Sequence, residues 1–165
     1  MIHYDTLMNL ASQLVLEADN DGIDQLAVGA AIFYDGKLLI VTRAKDEEIF
    51  PEYREMPGGS VDPGENLIEA VLREMKEETS VEATMIEDYV GSFDFTLGDG
   101  RRVRQFNFLI LPTSAVVKLN PVEHSDFFWF DPKYPDDLDT VKMTSEMKGS
   151  ILEISHIILN RQVPS

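Results

Sequence analysis

The chain contains no cysteine. That excludes a disulfide framework, a thiolate nucleophile and a Cys-based zinc site, so oxygen and His ligands would have to hold any metal. A reducing, cytoplasmic location fits this composition. Long hydrophobic runs are also lacking: no stretch approaches the ~18 consecutive apolar residues of a membrane span. The segment from Met1 to Asp5 has neither the basic nor the apolar region of a signal peptide. A soluble, unprocessed protein with no membrane partner is expected. Positive charge is scarce, with 14 Lys+Arg against 30 Asp+Glu and a formal net charge of −16. Arg101-Arg102-Val103-Arg104 is the one compact basic cluster, and so acidic a surface repels phosphate backbones. Nucleic-acid polymers are therefore poor partners.

What is present is material for one domain. At 165 residues and 44% hydrophobic content, the chain can bury a core without staples, and no repeat, low-complexity tract or linker divides residues 1–165. Leu7, Leu10, Ala11, Leu14 and Ala18 form the stripe of an amphipathic helix within residues 1–19, with Asp5 or Thr6 as N-cap. This helix can pack on a sheet or on a partner subunit, which leaves a homodimer open. Leu26 to Phe33 and Lys37 to Thr42 flank Tyr34-Asp35-Gly36 as a hairpin, and Arg43 to Glu55 reads as irregular. Pro57-Gly58-Gly59 and Val61-Asp62-Pro63-Gly64 read as loop, and Asn66 to Thr79 as helix. Tyr89 to Leu97 and Arg102 to Leu111 form a second hairpin, followed by a short strand from Asp126 to Phe130. A final helix capped by Thr144 or Ser145 carries Met147, Ile151, Ile154 and Ile158 on one stripe. Interleaved hairpins and helices predict an α/β or α+β layered domain, a mixed sheet covered by helices.

The most informative stretch runs from Gly59 to Val81. It places Glu74, Glu77 and Glu78 on one predicted helix, where at about 100° per residue they share one arc beside the apolar side of Leu67, Ile68, Val71, Leu72 and Met75. Carboxylates three and four residues apart repel, so a cation is expected to neutralise them. A solvated acidic face is the alternative. The upstream Pro-Gly-Gly weighs against it, because glycine permits close backbone approach and a Gly58 carbonyl can join the carboxylates around a hard cation. Arg73 can brace the array by pairing with Glu77 at i+4 and Glu69 at i−4. Oxygen-only ligation suits Mg²⁺ or Mn²⁺.

In these residues the sequence resembles the Nudix hydrolases. The family's box runs Gly, five residues, Glu, seven residues, Arg-Glu, aliphatic, any residue, Glu-Glu, any residue, Gly, aliphatic. Gly59, Glu65, Arg73-Glu74, Met75, Glu77-Glu78, Ser80 and Val81 fill those places. Met75 is a mild departure from the usual aliphatic residue, and Ser80 replaces the second glycine. The resemblance implies an α/β/α sandwich with a mixed sheet between helices, and hydrolysis of a nucleoside diphosphate linked to another moiety. It also implies a metal site of Glu74, Glu77, Glu78 and the Gly58 carbonyl holding Mg²⁺ (or Mn²⁺). Such cations screen the diphosphate, stabilise the leaving phosphate and lower the pKa of the attacking water.

Further candidates surround the box. Arg43 resembles the family's phosphate-contacting arginine, with a solvated strand end as the alternative. Glu123-His124 lies where many such enzymes carry an acidic residue or a histidine that activates water, with an exposed loop pair as the alternative. Metal-bound carboxylates are poor bases, so Glu123 is expected as general base or extra ligand, with His124 and Glu77 as competitors. Arg102 and Arg104 can reach substrate phosphates or face solvent, and the Phe127 to Phe130 aromatics can stack a base but suit a sheet core better.

The leading expectation is a MutT-like pyrophosphohydrolase that converts a nucleoside triphosphate to monophosphate and pyrophosphate. An ADP-ribose or nucleotide-sugar pyrophosphatase is the alternative, disfavoured because Thr96 stands where ADP-ribose enzymes tend to have proline. An isopentenyl diphosphate isomerase would need a cysteine. A non-catalytic nucleotide-binding Nudix domain usually loses box carboxylates, and all are kept here.

Overall fold

In the computed structural model, which describes residues 3–161, a sheet lies between two helical layers because its central strands are apolar on both faces. On β1 (Gln25–Tyr34), Val28, Ala30 and Ile32 join one core while Ala31 and Phe33 join the other, as the two-residue period of a strand requires. β2 (Lys37–Arg43) divides likewise, Leu39 and Val41 against Leu38 and Ile40. The first core is closed by α1 (Tyr4–Asn20) through Leu7, Ala11 and Ala18, and by α2 (Leu67–Thr79) through Leu67, Ile68, Val71 and Met75. The second is closed by α3 (Ser145–Arg161) through the expected Met147, Ile151, Ile154 and Ile158. The fold is thus the expected α/β/α arrangement. Residues 1–2 and 162–165 of the expected 1–165 domain, with the first residues of the segment from Met1 to Asp5, lie outside the described residues. Among the described residues, no helix is long and apolar enough to cross a membrane.

The sheet runs β3–β2–β1–β6–β5, where β3 is Arg54–Glu55, β5 is Ala83–Thr96 and β6 is Arg102–Pro112. β1 and β6 are parallel, from Gln25↔Val103 to Ile32↔Ile110, and the other pairings are antiparallel. The first hairpin pairs only at its tip, Phe33↔Leu38 and Tyr34↔Lys37. Beyond the tip, β4 (Gly58–Ser60) lies on β1 and β7 (His124–Phe130) on β2. The fork between these strands is where the acidic residues gather.

Several expectations change. Pro57-Gly58-Gly59 is not wholly loop: Gly58 and Gly59 belong to β4, paired with Gly29 and Val28. Strand contact is this close because Gly58 has no Cβ, which would lie 2.1 Å from the Val28 carbonyl oxygen. β3 lies inside the segment expected to be irregular. β5 starts at Ala83 rather than Tyr89, and three register shifts along it break the alternation a sequence would display. Neither Asp5 nor Thr6 caps α1, which begins at Tyr4 after His3 with no side-chain cap bond. Thr144 does serve α3, its Oγ1 accepting from the Met147 N–H at 3.3 Å.

Candidate active site

α2 is fixed at both ends. Asn66 Oδ1 accepts from the Glu69 N–H (2.9 Å) and Glu69 returns the bond to the Asn66 N–H (3.3 Å), a reciprocal capping box. At the other end Ser80 takes the left-handed conformation, φ 60°, and its hydroxyl donates to the Lys118 carbonyl at 2.9 Å. Because Glu69 is used in the cap, it does not pair with Arg73 as expected. Arg73 instead reaches Glu65 through two bonds (2.7 and 2.8 Å), Glu74 (2.9 Å), Glu77 (3.1 Å) and the Ser60 carbonyl (3.0 Å). The guanidinium thus ties the β4 loop to the helix.

The three helix carboxylates occupy different environments. Side-chain exposure is 4% for Glu78, 12% for Glu74 and 57% for Glu77. Glu78 points inward to accept from the Gly58 N–H at 3.0 Å. Burial, reinforced by the carboxylates of Glu55, Glu74 and Glu123 and opposed by that N–H, pushes its pKa up to about 10. Burial also raises Glu74, against the pull of Arg73. Glu74 packs on Gly59, where a Cβ would lie 2.7 Å from the carboxylate. Glu77 stays at the solvent edge on Arg73.

Backbone bonds bring Glu123 and His124 to this cluster. The Asn120 N–H donates to the Glu78 carbonyl (3.1 Å), while the Asn120 carbonyl accepts from both Glu123 and His124 (3.1 and 2.9 Å). The Glu123 carbonyl in turn accepts from Ala44 at 2.8 Å, just past the end of β2. His124 is 2% exposed, so it is not a loop residue in solvent. Its Nε2 lies 3.0 Å from Glu55 Oε1, which also takes a bond from Arg43 at 3.1 Å. Its Nδ1 lies 3.9 Å from Glu78 and has no hydrogen-bond partner. Ligand atoms of Glu78, Glu123 and His124 lie within 4.8 Å of one another, with Glu74 adjacent. Converging carboxylates around an orphaned ring nitrogen fit a divalent cation, which would relieve both the repulsion and the unpaired atom.

A cleft of about 680 Å³ opens beside this cluster, bordered by Glu55, Gly58 and Gly59. Arg43 lines it, held by Glu47 (3.1 Å), Glu55 and the Ile49 carbonyl (2.9 Å) rather than standing free in solvent. Arg102 and Arg104 do not line it: Arg104 forks onto Asp94 and reaches Asp21, and Arg102 bonds the Asp21 carbonyl. Arg101 lines the cleft in their place. Trp129 packs with the first core and Phe128 and Phe130 with the second. The aromatic rings that line the cleft are instead Phe50, Phe93 and Phe95. Sequence reasoning passed over Glu55, Phe93 and Phe95. The alternation Phe93-Asp94-Phe95 was the available signal for the last two, whereas Glu55 carried none inside a segment read as irregular.

Comparison with known proteins bears on this arrangement. A family model described as the NUDIX domain matches residues 24–146. Nucleoside triphosphatase NudI of Escherichia coli O17:K52:H18 is 32% identical over 108 residues, covering 60% of this chain and 76% of that protein. The crystal structure of MutT protein from Methanosarcina mazei Go1 has a TM-score of 0.70 at 24% identity, over 85% of this chain and 96% of that one. MutT NUDIX hydrolase from Burkholderia pseudomallei gives 0.67 at 25% identity, over 79% and 97%.

Proposed function

The chain belongs to the Nudix hydrolases, and from that premise we propose that it is a divalent-cation-dependent pyrophosphohydrolase of nucleoside triphosphates, releasing the monophosphate and pyrophosphate. The observation that carries this reading is Glu78, buried among the carboxylates of Glu55, Glu74 and Glu123 beside an unpartnered His124 Nδ1. Such an array is costly unless a cation completes it. The E. coli relative, a nucleoside triphosphatase, supports the choice of substrate. The proposed catalytic unit is a single domain, residues 1–165, with the box at 59–81 and α1 as an addition preceding the family match.

Glu74, Glu78 and the Gly58 carbonyl would hold Mg²⁺ or Mn²⁺, with Glu77 completing the set from the solvent edge. When bound, the cation supplies charge screening for the diphosphate and a more acidic water. Arg73 orients Glu74 and Glu77, and the Gly58 N–H orients Glu78. Glu123 takes the water's proton as general base in this reading, or else joins the ligands. His124 is the fallback for the base, and its contact with Glu55 fixes the imidazole ring. Arg43 lines the cleft as the phosphate contact, already oriented by its acidic partners. Arg102 and Arg104 act at one remove, by bracing the strand ends that frame the cleft.

A hydrolysis screen with Mg²⁺ tests the reading. The panel holds nucleoside triphosphates, oxidised nucleotides, dinucleoside polyphosphates, ADP-ribose and nucleotide sugars, with products identified. The expected result is a dominant triphosphate yielding pyrophosphate. Turnover confined to ADP-ribose or nucleotide sugars would replace the substrate, and no turnover with either Mg²⁺ or Mn²⁺ would overturn the proposed activity.

A further inference from the structure

Most polar side chains around the cleft are already engaged. Gln25 donates to Ser60 Oγ (2.7 Å) and accepts from Arg101 (3.0 Å), Asp94 takes the fork from Arg104, and Arg43 is held by Glu47 and Glu55. Gln105 differs. It lines the cleft, yet its hydrogen bond runs away along β6, from Nε2 to Asn107 Oδ1 at 3.0 Å. Its Oε1 accepts nothing among the described residues. Asn107 beside it is fully buried, and its Nδ2 has no partner. Buried amides are rarely left so.

The backbone makes room for this pair. Gly29 faces Asn107 across the β1–β6 ladder, and a Cβ there would lie 2.4 Å from both Asn107 Oδ1 and Gln105 Nε2. β1 therefore carries no side chain at the one point where two carboxamides meet. Phe93 and Phe95, with ring centroids 6.0 Å apart, line the same cleft from β5. Aromatic faces and an unspent carboxamide are the two elements that recognise a planar heterocycle.

We infer that Gln105 is the specificity-determining residue that reads the nucleobase, oriented by Asn107 through the space at Gly29, with Phe93 and Phe95 offering the stacking surface. The inference rests on the reading of the substrate as a nucleotide and adds which group selects the base. With one Nε2 hydrogen turned to Asn107, Gln105 offers the substrate an acceptor and a donor side by side. That pattern complements a base edge carrying an N–H next to a carbonyl or ring nitrogen. Asn107 is a positioning residue, since it acts through Gln105.

Calorimetric titration of the four deoxynucleoside monophosphates, with Mg²⁺ present, tests this without depending on which phosphate bond is cut. The natural protein is expected to bind its preferred base about tenfold or more tightly than its poorest, because a site built to hydrogen-bond one edge penalises another. Gln105→Leu should bring all four within about threefold of one another. Gly29→Ala should do the same while keeping both carboxamides, displacing only their flexible ends, so it decides the matter if Gln105→Leu does not fold. Triphosphate hydrolysis should show the loss in KM more than in kcat. Four equal affinities or no binding in the natural protein would overturn the inference, as would an unchanged rank and spread in a folded variant. Selective monophosphate binding that Gln105→Leu abolishes, without pyrophosphate release from any triphosphate, would instead sink the proposed reaction and leave the base reader standing.

Discussion

Glu123 and Ser80 show how one residue's surroundings decide its part. Glu123 is tied by its backbone to Ala44 and Asn120, so its carboxylate approaches Glu78 from the strand side rather than from the helix. A base outside the cation's ligand set loses less of its proton affinity than the carboxylates that bind the cation. Glu123→Gln is therefore expected to lower kcat by about 10²–10⁴-fold with Mg²⁺ affinity nearly intact. A drop below tenfold would return the role to Glu77 or His124. Ser80 stands where the family's box has its second glycine, and its φ of 60° is left-handed. The strain of about 1 kcal/mol is set against a hydroxyl bond to Lys118 worth about the same. Ser80→Gly should consequently change stability by less than ~1 kcal/mol, whereas Ser80→Ala, which keeps the strain and loses the bond, should cost ~1 kcal/mol. Urea melts giving equal stability for the two variants would contradict this account.

At the scale of elements, β4 is the piece that joins sheet to site. Gly58 and Gly59 are adjacent, yet each lacks a side chain for a different reason. A Cβ on Gly58 would meet the backbone of Val28 and Gly29, at 2.1 and 3.0 Å, whereas the atoms nearest one on Gly59 are those of the Glu74 carboxylate. Backbone paired in a sheet cannot give way as a side-chain end can. Gly58→Ala should thus destabilise the fold by ~1–3 kcal/mol or more. Gly59→Ala should unfold nearly where the natural protein does but lose activity through a displaced Glu74. Thermal melts paired with rates separate the two, and an equally unstable Gly59→Ala would show that β4 cannot shift Glu74 without losing its own pairing. The capping box of α2 joins Asn66 to Glu69, which withdraws Glu69 from the expected pairing with Arg73 and leaves Glu65 in its place. Local spacing allows both partners, and only the loop's path chooses between them.

Over the whole molecule, the cluster links stability to pH. In the cation-free protein burial holds Glu78 and Glu74 above their ordinary value of 4.5, so the folded state keeps protons that the unfolded chain has released. Stability must then fall as pH rises above ~4.5, with the Glu78 contribution to that fall extending to about 10. Glu65 and Asp94, held low chiefly by hydrogen bonds from Arg73 and Arg104, act in the opposite sense but only below 4.5 and 3.8. Melting temperatures in EDTA should decline between about pH 5 and about pH 9. The decline should be weaker in Glu78→Gln and largely removed by saturating Mg²⁺, which favours the charged carboxylates. A flat profile in EDTA would mean that Glu78 is not protonated in the folded state.

The layers, the box helix and its acidic arc follow from the chain alone. These depend on periods of 2 and 3.6 residues and on fixed spacing between Gly59 and Val81, which are local properties. The sequence also marked Glu123-His124 without locating them. The tertiary structure decided which carboxylate is buried, since Glu74, Glu77 and Glu78 share one arc and differ only in what the sheet, β4 and the Asn120 turn place over them. It decided too that Arg101 rather than Arg102 or Arg104 lines the cleft, and that Gln105 meets Asn107 over Gly29. Gln105 and Asn107 share a face of β6 by the two-residue period of a strand, but Gly29 and the residues over the carboxylates are far away in the chain, and their proximity comes from strand register and a missing side chain rather than from any pattern along the sequence.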